Sequence, residues 1–140
     1  VIEKSLRGAL LGNATVAALV GTRIYPMILP QARVWPGPSL TFQRISTTSP
    51  VALTGETGPE RMRVQIDSWD DSWTGVRALA IAVKNALQGF AGALGGGEEL
   101  FGVFMDSQRD FFESEVGPSG EGMYRVSQDF FVHVGMEVAA

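Results

Sequence analysis

Asp67, Asp70 and Asp71 fall within one five-residue stretch. Carboxylates so spaced suit a hard divalent cation, and through it the hydrolysis of a phosphate ester. They also suit a plainer duty. Asp70, Asp71 and Ser72 precede an apolar run of helical period, where a helix start favours acidic charge and capping oxygens, and Asp67 falls on the polar side of a strand. We read the group as structural. Gly95-Gly96-Gly97 has the glycines of a phosphate-cradling loop, but Glu98 and Glu99 follow where a lysine and a hydroxyl are required. Asn13-Ala14-Thr15 spells a glycosylation acceptor, and Asn13 is better used as a helix cap. The chain has no cysteine, which removes thiolate nucleophiles, disulfides and cysteine-based metal centres. His133 is the single histidine, so chemistry needing two imidazoles is out of reach. It sits among apolar strand residues and reads as a packed or rim side chain. The sequence therefore assigns no catalytic, cofactor or metal residues.

The elements that would hold these residues follow from apolar period. Ile2, Leu6, Ala9 and Leu10 recur at helical spacing up to Gly12, and Asn13 opens a second short helix over Ala14 to Val20 that Gly21 stops. Ile24-Tyr25 suits a brief strand, and Pro26, Pro30, Pro36 and Pro38 make the next segment an ordered loop. Leu40, Phe42 and Arg44 alternate with Thr41, Gln43 and Ile45, with a bulge or a strong twist expected near Arg44 where the pattern switches. Met62, Val64 and Ile66 alternate with Arg61, Arg63, Gln65 and Asp67, so the two runs form a hairpin with a long tip. Trp73, Val76, Leu79, Ala80, Val83 and Leu87 make one helical stripe, which places Trp73 in the core and leaves Trp69 undecided. Phe90 to Gly97 reads as a glycine-rich connection, Leu100 to Phe112 as a strand, and Gly117 to Gly122 as a turn. Tyr124, Val126, Phe130, Val132 and Val134 then share one side of a last strand. The expectation is a single α+β domain over residues 1–140, of order α-β-β-α-β-β, as a two-layer sandwich with a largely antiparallel or mixed four-stranded sheet and helices on one face.

At 140 residues and 45% hydrophobic content, one folded domain is accounted for. Net charge is −4, which argues against diffuse attraction to nucleic acid or anionic membrane. No apolar run reaches the roughly 18–20 residues of a membrane span, and Glu3-Lys4-Ser5 does not resemble a secretion signal, so a soluble protein is expected. The charge is uneven: residues 1–66 hold seven basic and three acidic side chains, and residues 67–140 hold four and twelve. Such a split serves head-to-tail pairing of identical subunits, provided the two halves do not interleave in space.

Taken in order, the segments resemble the tail-completion or tail-terminator (head–tail joining) proteins of long-tailed bacteriophages and gene transfer agents. The carriers are Leu10-Leu11 through Ala17-Ala18-Leu19-Val20-Gly21 into Arg23-Ile24-Tyr25-Pro26, then Pro30-Gln31, and Pro38-Ser39-Leu40-Thr41-Phe42-Gln43. Arg63-Val64-Gln65-Ile66-Asp67-Ser68-Trp69, the helix with Ala78-Leu79-Ala80 and Val83, and Tyr124-Arg125-Val126-Ser127-Gln128-Asp129-Phe130 complete the set. The resemblance implies a non-enzymatic virion protein, assembled in the host cytoplasm, whose copies form a ring of six on the tail tube. That ring would stop tube polymerisation, meet a head-side connector or adaptor protein, and let duplex DNA pass without specific binding. On this reading the expected partners are further copies of the chain, the tail tube protein and the connector, and the hairpin Arg44 to Arg63 is the leading contact element. Arg44, Thr54, Glu56, Arg61, Arg63, Trp69, Asp110 and Glu113 are the candidate interface residues. The alternatives are a head-closure or neck protein of the same particle, and a small metal-dependent hydrolase using Asp67, Asp70 and Asp71.

Overall fold

The computed structural model describes residues 2–29, 37–48, 51–52, 55–56, 60–93, 99–113 and 122–135. Helices α1 (Ile2–Leu11) and α2 (Ala14–Val20) open the fold, followed by strands β1 (Ile24–Pro26), β2 (Ser39–Thr48), β3 (Val51–Ala52), β4 (Gly55–Glu56) and β5 (Glu60–Asp70). Helix α3 (Trp73–Leu87) leads to β6 (Gly92–Ala93), β7 (Glu99–Glu113) and β8 (Met123–Val134). Asn13 caps α2 as its spacing predicts, its Oδ1 accepting from the backbone N–H groups of Thr15 and Val16. Gly21 ends that helix at φ 59°, a region where a β-carbon would be strained. Ser72 rather than either aspartate is the N-cap of α3, with Oγ accepting from Gly75 N–H at 2.8 Å.

Among the described residues the sheet has six strands in the order β1-β2-β5-β8-β7-β6, and β3 with β4 forms a separate two-stranded ladder. This corrects the expected four strands and the plain α-β-β-α-β-β order; the α+β class and the single helical layer hold. Of the strands beyond those four, β1 falls on the brief strand read at Ile24-Tyr25, while β6 is too short to show a sequence period. β1 pairs parallel with Leu40–Phe42 of β2, and β6 is two residues of the segment read as a loose connection. All other pairings are antiparallel, and the bulge expected near Arg44 falls between Arg44 and Ser46. Thr54 and the proline-rich loop at 30–36 lie outside the described residues.

Alternation along the strands separates two faces. Met62, Val64 and Ile66 of β5 and Phe130, Val132 and Val134 of β8 pack under Leu79, Val83 and Leu87 of α3, with Leu6, Leu10, Val16 and Val20 from the first two helices completing the core. Gln128 is buried among them, and its Nε2 donates to the Ala80 carbonyl at 2.9 Å and to Gln108 Oε1 at 3.0 Å, fastening α3 to the centre of the sheet. The other face carries none of the described helices.

Candidate interaction surface

That uncovered face mixes aromatic with charged side chains, and many of its charges are paired within the chain. Arg63 Nη2 donates to Asp129 Oδ2 at 2.7 Å and lies 3.0 Å from Asp106, with Arg109 at 3.9 Å from the same Asp129 oxygen. Arg125 bridges Asp67 at 3.2 Å and Glu113 at 2.6 Å, and Gln65 Nε2 donates to both oxygens of Asp67. The network crosses β5, β8 and β7, because the registers set Gln65 opposite Asp129 and Asp67 opposite Ser127, one step diagonal to the arginines. The hydrogen bond from Arg63 to Asp129 holds its guanidinium more firmly protonated than usual. Asp129 is only 5% exposed, and its Oδ1, Ser127 Oγ and Arg125 Nε make no hydrogen bond among the described residues.

The carboxylates singled out for metal chemistry do not converge. Asp67 belongs to the uncovered face and is taken by Arg125, while Asp70, three residues on, turns to the helical side and accepts from Asp71 N–H at 2.7 Å. Burial, with a hydrogen bond to Asp71 added, pushes the Asp70 carboxyl above the ordinary range. Among the described residues no group of three or more acids and histidines is placed to hold a metal ion.

The sequence-selected interface residues are placed differently. Arg44 pairs with Glu3 and reaches Thr47 Oγ1 at 3.2 Å, so it ties α1 to β2. Arg63, Asp110 and Glu113 are all in ion pairs within the chain, Asp110 with Arg77 at 2.7 Å. Arg61 is exposed, its guanidinium 4.7 Å over the Phe131 ring. Trp69 is half-buried, donates from Nε1 to Thr41 Oγ1 at 2.9 Å and has Arg125 over its ring. Glu56 lies in β4.

Trp73 corrects the sequence reading: it is 57% exposed. It stands at the first turn of α3 and lines a hollow of about 230 Å³ with Phe111, Phe112, Tyr124 and Asp110 of β7 and β8. Sequence reasoning missed this hollow, together with the parts played by Arg125 and Asp129. Their signal was present in the alternation of Arg125, Ser127 and Asp129 opposite Arg63, Gln65 and Asp67, once those two strands are set side by side.

What the described residues present is a set of surfaces, the ion-paired face and the hollow beside Trp73. Comparison with solved structures gives a match to a chain of the "Virion of native gene transfer agent (GTA) particle", with TM-score 0.73 and 23% identity over 96% of this chain and 95% of that one. At that identity the match establishes a shared fold. No curated protein matches the chain. The family model described as tail completion protein gp17 matches residues 4–134, nearly the entire fold. The chain belongs to that family, and is a structural component of a virion tail rather than an enzyme.

Proposed function

We propose that copies of this chain close into a ring, of six subunits, that caps the tail tube, ends its polymerisation and joins the tail to the head-side connector while duplex DNA passes through. The observation that carries this reading is the family match from residue 4 to residue 134. The fold supports it in two ways. A ring needs two unlike edges that fit each other, which a six-stranded open sheet with different strands at its ends possesses. A net charge of −4 suits a channel through which phosphates must slide without being held.

The test is light scattering of the purified protein with and without tail tubes, followed by electron microscopy of the mixture. Rings seated on one tube end, and tubes that no longer lengthen, are expected. Protein that stays monomeric and leaves the tubes undecorated contradicts the proposal. Decoration of the head-side connector but never of the tube transfers the role to a head-closure protein.

A further inference from the structure

The helix-free face of the sheet keeps its acids low and its spare cations high. Asp67 and Asp129 are 8% and 5% exposed and are held by Arg125 and Arg63, and Asp106 and Glu113 are taken by the same two arginines. Two cations of the face are left over. Arg61 is exposed and has no carboxylate within ion-pair distance among the described residues, and the 56% exposed Arg109 comes only within 3.9 Å of an Asp129 oxygen that Arg63 already bonds.

Aromatic rings hold both of these arginines in place. Arg61 lies 4.7 Å over the Phe131 ring and Arg109 5.7 Å over that of Phe111. A stacked guanidinium keeps its N–H donors along its edge, so it can meet a carboxylate with little further loss of side-chain freedom. Phe104 and Phe111 stand on β7 opposite Phe131 and Arg125, and are 49% and 37% exposed. Exposed arginines beside exposed aromatic rings are the side chains that dominate binding between proteins. The two cations are set wide apart: Arg61 is opposite His133 and Arg109 opposite Ser127, six residues or roughly 20 Å along β8.

Charge decides what fits there. On α1 and α3 the only acid is Glu3, which Arg44 takes, while Lys4, Arg7, Arg77 and Lys84 are basic. A second copy docked by its helices, or by this same face, would set cation against cation. Duplex DNA supplies anions but no apolar surface for Phe104 and Phe111. We propose that the helix-free face of the sheet docks a different protein of the virion, one that presents carboxylates to Arg61 and Arg109 around an apolar patch that covers Phe104 and Phe111. This deepens the tail-joining reading and rests on it; contacts between copies fall to other surfaces.

The test reverses both spare cations, Arg61→Glu with Arg109→Glu in one chain, and compares Lys4→Glu with Lys84→Glu on the helical side. Tail tubes and head-side connectors from the same particle, and a duplex DNA fragment, are the probes, each sedimented with each protein. The native chain and the helical-side variant should bind tubes or connectors, and the face variant should bind them about tenfold or more weakly, with self-association and melting temperature kept. Should the reversed chain melt early, Phe104→Ser, at an exposed position, reads the same loss. A face variant that docks as the native chain does overturns the proposal, as does one that loses self-association, or only DNA binding, in place of docking. A native chain that docks on neither tubes nor connectors overturns the tail-joining role itself.

Discussion

Gly75 sits in the first turn of α3, where an added β-carbon would meet Asp70 Oδ2 at 1.9 Å and Ser72 Oγ at 2.9 Å. Those are the atoms that shape the strand-to-helix corner, so they have little room to yield. Gly75→Ala should lower stability by about 1–3 kcal/mol in denaturant melts. Gly8→Ala, on an exposed turn of α1 with nothing within 4 Å of the new carbon, should raise it by up to about 1 kcal/mol. Asp70 supplies a pH test. Its folded-state carboxyl is raised mainly by burial, so ionising it costs stability above that raised value, and the cost disappears as pH falls through it. Asp70→Asn, which keeps an acceptor for Asp71 N–H, should therefore gain on the native protein at neutral pH and lose that advantage in acid, as read by chemical denaturation across pH. A constant difference between the two proteins at every pH would contradict the assignment.

The strands of the uncovered face depend on one another through Arg125, which holds both Asp67 and Glu113. Arg125→Ala leaves Asp67 buried without its cation and should cost about 3 kcal/mol, measured by thermal or denaturant unfolding. Ser72→Ala should cost about 1 kcal/mol by removing the α3 cap. At this scale the sequence was most legible where apolar spacing ran long: α3 and the alternation of β5 and β8 agree with the structure. Ile24-Tyr25 was legible as the brief strand β1, whereas β6, two residues long, shows no period, and pairing to a long neighbour creates it. Trp73 misled for a different reason. Its spacing belongs to the buried stripe of α3, but at the first turn it borders an open hollow beside Phe111, Phe112 and Tyr124 instead of a packed core. The ion pairs of Arg63, Asp110 and Glu113 were equally hidden, because they join residues 66, 33 and 12 positions apart.

In the proposed ring, the strands of the basic first half of one copy, β1, β2 and β5, would face those of the acidic second half of the next, β8, β7 and β6. Since attraction between a basic and an acidic edge is screened by salt, self-association should weaken several-fold as ionic strength rises from about 0.05 to 0.5 M. Sedimentation of the native chain across that range reads this directly. The central claim is that many copies cap a tube, and electron microscopy of the protein mixed with its own tail tubes meets it most squarely. Closed collars at one end of each tube are the predicted result; scattered single subunits beside bare tubes that keep growing would contradict it.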